Sequence, residues 1–99
     1  MPEAYSPNDA IIKIRSILQT GRLLIRSHCY DQMSLRNVDD LDIRKVLEEN
    51  GSINNQPEWD TKHLKWKYKV DGYDIEGDKL SVIVNIIEND WIVVTITVF

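Results

Sequence analysis

The strictest pattern in this chain is the alternation Leu64-Lys65-Trp66-Lys67-Tyr68-Lys69-Val70. A β-strand sends successive side chains to opposite faces. Leu64, Trp66, Tyr68 and Val70 therefore fall on one face, and Lys65, Lys67 and Lys69 on the other. Leu80-Ser81-Val82-Ile83-Val84-Asn85-Ile86 repeats the division, with apolar even positions and with Ser81 and Asn85 opposite them. In Trp91 to Phe99 the same rule puts Ile92, Val94, Ile96 and Val98 together, against Val93, Thr95 and Thr97. An antiparallel sheet commonly rests one face on a core and wets the other. The wet face would here carry three lysines, Ser81, Asn85, Thr95 and Thr97, a surface suited to an anion.

What precedes these strands must supply the cover. Ser6 caps, Pro7 suits a first helical position, and Asp9 stands where a capping box needs it, with Ile11, Ile14, Ile17 and Leu18 on one stripe up to Gly21. Leu23 to Ile25 is a short strand or extended link. Ser27 is expected to cap a second helix to Arg36, with Cys29, Met33 and Tyr30 on its core side and Asn37 as a left-handed stop. Asp39 or Asp40 caps a third helix ending at Gly51, with Ile43, Val46 and Leu47 inward. A further strand fits Ser52 to Gln56, followed by a loop from Pro57 to His63. Asp71-Gly72 and Asn89-Asp90 signal tight turns, with a strand at Tyr73 to Ile75 and another turn at Glu76-Gly77-Asp78. The expected fold is α+β, with three helices packed on one face of an antiparallel sheet of four to five strands. At 99 residues this is one domain, with residues 1–5 loose.

No apolar run is long enough to span a bilayer, and Met1 to Asn8 lacks the basic and apolar regions of a signal peptide, so the expected location is cytoplasmic. The single Cys29 leaves no internal disulfide and suits a small core filler better than a nucleophile. A net charge of −4 speaks against a general nucleic-acid binder and against DNA. The charge is nevertheless segregated. Lys13, Arg15, Arg22 and Arg26 occur without an acid between Ala10 and Tyr30, while Asp71, Asp74, Glu76 and Asp78 cluster later.

Three features carry possible chemistry. The lysines of the alternating strand lie roughly 7 Å apart, close to the spacing of phosphates, and neighbouring ammonium groups ease proton donation. The same stripe also fits a solvated strand face or a guarded sheet edge. His28 beside Arg26 fits an acid–base group next to a phosphate clamp, or a ring packed at a helix start. His63 lies in a polar loop and is expected to be merely exposed. The two histidines are too far apart in sequence, and lack the flanking carboxylates, for a metal site. The acidic turn lacks calcium-loop spacing, and no phosphate-binding glycine loop occurs.

Arg26-Ser27-His28, then Met33, Arg36 and Val38, then a capped helix ending at Gly51, resembles an uncharacterised bacterial family with an S-x-H segment and an R-M-x-x-R-G-[IV] run. Gln32-Met33 here replaces R-M, and Asn37 replaces the glycine. Val93 to Phe99 resembles that family's closing V-x-T-V-[YF] strand. The family is grouped with toxins of the RelE, BrnT and MqsR type, which share a small α+β ribonuclease-like fold. A second, partial likeness is to the MqsR toxins, through the opening helix and glycine turn, Trp66-Lys67 at the central hairpin, and Gly77 to Val84. MqsR is an mRNA-cleaving interferase neutralised by an antitoxin. The resemblance puts Lys67 at a catalytic polar position, and Thr97 where those toxins carry a catalytic lysine.

Together these imply the toxin of a toxin–antitoxin pair, a metal-independent and cofactor-free endoribonuclease acting on mRNA through the RNA 2′-hydroxyl. Such a reaction needs a base, an acid and positive charge. Lys65 and Lys67 are assigned charge stabilisation and proton transfer, and His28 the base. Lys69 and Arg26 would clamp the backbone, and Ser81, Thr95 and Thr97 would hold the phosphate. Partners are mRNA and a cognate antitoxin. The alternative is a non-catalytic RNA- or protein-binding module on the same fold, favoured by the acidic pI and by Thr97.

Overall fold

Ser6 accepts a hydrogen bond from the Asp9 N–H at 3.2 Å and, with Pro7 in the first turn, starts α1 (Pro7–Thr20). In this computed structural model, which describes residues 3–99, α1 is followed by β1 (Arg22–Ile25), α2 (Ser27–Arg36) and α3 (Asp40–Lys45). The last helix widens into a π-helical turn, Val46–Asn50. Then come β2 (Glu58–Asp60), β3 (Lys65–Tyr73), β4 (Lys79–Ile87) and β5 (Ile92–Val98). The fold is α+β, with three helices against a five-stranded sheet in the order β1-β5-β4-β3-β2. All pairings are antiparallel except β1 with β5, which run parallel. The sheet is therefore mixed rather than wholly antiparallel. Leaving β1, the chain crosses through the helices and β2 to β4 before it returns beside its first strand.

Ala10, Ile14, Ile17 and Leu18 of α1, Cys29 and Met33 of α2, and Ile43, Val46 and Leu47 close over Tyr68, Val70, Leu80, Val82, Val84, Val93 and Val98. The third helix begins with a reciprocal capping box between Asp39 and Asp42. Asn37 ends α2 in the left-handed conformation, φ 54°. Arg26 rather than Ser27 occupies the position before α2 and makes no side-chain cap. Tyr30 is exposed, not inward. Of the five residues expected to be loose, Met1 and Pro2 lie outside the described residues. Tyr5 is fastened: its N–H donates to the Tyr68 hydroxyl at 2.9 Å, and its own hydroxyl donates to Glu88.

Two of the basic residues before Tyr30 serve the fold. Lys13 pairs with Glu88 at 2.9 Å, and Arg15 donates to the Gly51 carbonyl at 2.9 Å, tying α1 to the end of the π turn. They do not form part of a basic surface.

The strand boundaries differ from the turn signals. Ser52 to Gln56 makes only one bridge, Ser52 to Asp71, and the strand falls instead on Glu58–Asp60, inside the expected loop. Leu64 lies before β3, at φ 55° and exposed, because it closes the turn through its N–H to the Asp60 carbonyl at 2.8 Å. Asp71-Gly72 is no turn and lies within β3, so Tyr73 to Ile75 is not a separate strand. Gly72 is required for close approach. A Cβ there would lie 3.0 Å from Val46 Cγ1 and 3.2 Å from the Gly51 Cα, and would press on the Asn50 side chain. Gly77, at φ 90°, makes the actual turn between β3 and β4.

The largest departure is in β5. Ile83 pairs with Thr97 but Val84 with Thr95, so Ile96 is a bulge residue. The extra residue switches the faces. Val93 and Thr95 point to the helices before it, and Val98 after it. Ile92 and Val94, expected under the helices, are buried on the other side of the sheet and lie outside the helix-side core. Thr95, expected on the open face, is fully buried, and its hydroxyl has no hydrogen-bond partner among the described residues.

Candidate functional site

Cross-strand partners share a face, so the sheet register defines which side chains meet. Lys67 pairs with Glu58, Lys69 with Ile83, and Ile83 with Thr97. These residues, with Ile96, Phe99, Asn55 and Gln56, line a depression of about 390 Å³ on the face opposite the helices. Ile83, Ile96 and Phe99 supply apolar surface, Thr97 a hydroxyl, and the two lysines positive charge. Lys69 Nζ sits 5.3 Å from the centre of the Phe99 ring, a cation–π distance. The combination can take a flat ring and an adjacent anion.

The lysines do not stand in equal surroundings. Lys69 lies 3.7 Å from Asp71. Burial acts to raise the Asp71 pKa, but hydrogen bonds from Ser81 and Asn54 and the Lys69 ammonium outweigh it and leave that pKa lowered. The Ser81 hydroxyl donates to Asp71 at 2.7 Å, so Ser81 shares the face but spends its proton there. Lys65 and Lys67 form no ion pair among the described residues. Lys65 pairs with Asp60, one row of about 7 Å beyond the Glu58–Lys67 row, and is not among the residues lining the depression.

The proposed base and clamp lie elsewhere. Arg26 follows β1, its N–H donating to the Thr95 carbonyl at 3.0 Å, and His28 is exposed in the first turn of α2. β1 stands three strand spacings from β3, about 14 Å. One phosphodiester cannot touch both His28 and Lys67. Thr95, on the helix side, cannot join the site either. Of the sequence-derived set, Lys67, Lys69 and Thr97 meet in the depression, with Lys65 and Ser81 on the same face.

One arrangement went unnoticed in the sequence. His63 is not simply exposed: its Nδ1 lies 2.8 Å from Asp60 Oδ2, while Asp60 Oδ1 accepts the Lys62 and His63 N–H groups at 3.0 and 3.3 Å. The hydrogen bond from His63, followed by those from the backbone, lowers the Asp60 pKa. The D-x-x-H spacing was the available signal, but it gains meaning only once β2 and its turn exist.

Cys29 is fully buried and its thiol pKa is raised by that burial, so it serves as core. No helix is long and apolar enough to cross a membrane among the described residues.

A family model described as "Domain of unknown function (DUF4258)" matches residues 25–98. No curated protein and no solved structure matches the chain.

Proposed function

We propose that this chain, which belongs to the family of domains of unknown function DUF4258, binds single-stranded RNA across the open face of its sheet and cleaves it as the toxin of a cytoplasmic toxin–antitoxin pair. The observation that carries the reading is the depression where Lys67, Lys69 and Thr97 meet Phe99, Ile83 and Ile96. A base stacked on an aromatic ring with lysines along the backbone is a recurrent way to hold single-stranded nucleic acid. Lysines two residues apart on one strand match successive phosphates in spacing. Lys67, which forms no ion pair among the described residues, is the group best placed to neutralise charge developing on phosphorus. The chemistry would be transphosphorylation by the RNA 2′-hydroxyl, needing neither metal nor cofactor. The resemblance of Arg26 to Phe99 to RelE, BrnT and MqsR type toxins supports mRNA as the substrate and an antitoxin protein as the partner.

A second reading is a binding module without catalysis. Glu58 opposite Lys67, Asp60 opposite Lys65 and Asp71 beside Lys69 favour it, because three carboxylates offset the three lysines of the face. The test is purified protein on a long mRNA, with and without chelator, beside growth and mRNA levels after induction in bacteria. Cleavage that survives the chelator, with growth arrest, supports the enzyme. Intact RNA that is nevertheless bound supports the module. Neither binding nor cleavage ends both.

A further inference from the structure

We infer that Asp60 and His63 form the acid–base dyad of the lysine face, with His63 as the base that takes the 2′-hydroxyl proton. The inference rests on the RNA-cleaving reading above. It starts from the turn between β2 and β3. Thr61 to Leu64 reverse the chain, closed by the Leu64 N–H to the Asp60 carbonyl at 2.8 Å. Asp60 Oδ1 is fixed by the Lys62 and His63 N–H groups, which leaves Oδ2 for the imidazole at 2.8 Å. A carboxylate can only accept, so the neutral ring must carry its proton on Nδ1 and present Nε2 as the acceptor. Nε2 has no hydrogen-bond partner among the described residues. A base fixed at one nitrogen and free at the other is the arrangement that proton abstraction needs.

Placement supports the role. Asp60 is the cross-strand partner of Lys65, so its carboxylate rises on the face that carries Lys65, Lys67 and Lys69. The dyad thus ends the lysine row, whereas His28 lies on α2, which follows β1 at the opposite edge of the sheet from β2. Asp60 is the charged group that contacts the ring, with Lys62 next to it in sequence and Lys65 the cross-strand partner of Asp60. The side chain of His63 is about a third exposed (37%), open to a ligand, while that of Asp60 is mostly covered (14%).

The step balances without a further reactant. The 2′-oxygen attacks phosphorus as its proton passes to His63 Nε2, and the resulting imidazolium is held by the Asp60 carboxylate. The bond from phosphorus to the 5′-oxygen breaks, and that oxygen leaves with a proton from the Lys65 ammonium. The products are a 2′,3′-cyclic phosphate and a 5′-hydroxyl. Water then returns a proton to Lys65 and removes one from His63.

The experiment compares wild-type protein, His63→Gln, His28→Gln and Asp60→Asn on a short single-stranded RNA, measuring cleavage rate against pH, RNA affinity and melting temperature. The expected result is a loss of about 100-fold or more in rate for His63→Gln, the usual worth of a general base. Affinity and melting temperature should hold, and His28→Gln should keep the wild-type rate. Asp60 is a positioning residue. Asp60→Asn should lower the rate and move the acid limb of the pH profile, which a merely structural role would not do. Nitrogen-15 spectra of the free protein should show the neutral His63 ring protonated at Nδ1. Wild-type cleavage with His63→Gln at full rate overturns the dyad alone. A wild-type protein inert on RNA overturns the cleavage reading and the dyad with it. A ring protonated at Nε2 overturns the assignment independently of activity.

Discussion

Val84 pairs with Thr95, while its neighbour Ile83 pairs with Thr97, and Ile96 is left over between them. That single surplus residue inverts the strand. It sends Val93 and Thr95 into the helix-side core and returns Thr97 to the face that holds Lys67 and Lys69. The buried Thr95 hydroxyl finds no partner among the described residues. An unsatisfied hydroxyl costs free energy, and valine has nearly the same shape. Thr95→Val should therefore raise stability by about 1 kcal/mol in urea unfolding, and a loss instead would place the hydroxyl in a hydrogen bond. Val93→Ala should cost about 2 kcal/mol through lost burial and a cavity. Thr97→Ala, at the half-buried edge of the depression, should cost clearly less.

Gly72 sits where β3 presses on the π turn. Its neighbour Asn50 is fixed by two hydrogen bonds of 2.9 Å, accepting the Tyr73 N–H and donating to the Tyr73 carbonyl. A methyl group at Gly72 would displace that side chain and crowd Val46. Gly72→Ala should cost about 1–3 kcal/mol, the range for overpacking, with an unchanged denaturant slope. Gly77→Ala has open space around it and should suffer only the left-handed backbone penalty, about 1 kcal/mol.

Tyr5 and Glu88 predict how stability depends on alkaline pH. The hydrogen bond to Glu88, followed by burial, pushes the Tyr5 hydroxyl up to about 12. A group whose folded pKa is raised stabilises fully below its unfolded value, near 10, and loses that contribution as pH climbs through about 12. Melting temperature should fall across that window in wild type and fall less in Tyr5→Phe.

At the acid end the direction reverses. For Asp71, burial opposes ionisation, but Ser81, Asn54 and Lys69 together lower its pKa. A lowered carboxylate stabilises above its unfolded value and loses that contribution as pH falls below about 4. Ser81→Ala should flatten the acid loss in a melting series from pH 6 down to pH 2.

Lys69→Ala should weaken RNA binding and reduce the slope of log affinity against log salt by about 0.7, one phosphate contact on a single strand. Lys67→Ala should abolish cleavage with the melting temperature kept, since a half-buried lysine at the open edge of the depression leaves neither a closed cavity nor an unpaired buried group. Gel-shift titrations over a salt series measure the first, and cleavage of a long mRNA the second.

Local chemistry was legible wherever a residue acts on its own neighbourhood. Ser6, Asn37 and Asp39 start or stop helices through hydrogen bonds and backbone conformations spanning three or four residues. The lysine stripe of β3 follows from simple alternation, and with it the face on which Lys67 and Lys69 stand. Ile14, Ile17, Cys29, Met33, Ile43 and Leu47 were likewise recognisable as core from their helical spacing. What tertiary structure alone decided lies in β5, β2 and the ends of β1. Ile92 to Val98 reads as an unbroken alternation, Ile92, Val94, Ile96 and Val98 against Val93, Thr95 and Thr97, so nothing within it marks the bulge that buries residues of both sets. Gly72 resembles a turn until Val46 and Asn50 are packed against it. His28 and Lys67 looked compatible because sequence carries no measure of strand order, and it is the placement of β5 and β4 between β1 and β3 that separates them. Asp60 and His63 are three residues apart, yet only the pairing of β2 with β3 carries them to the lysines, because a strand edge acquires its face from its partner.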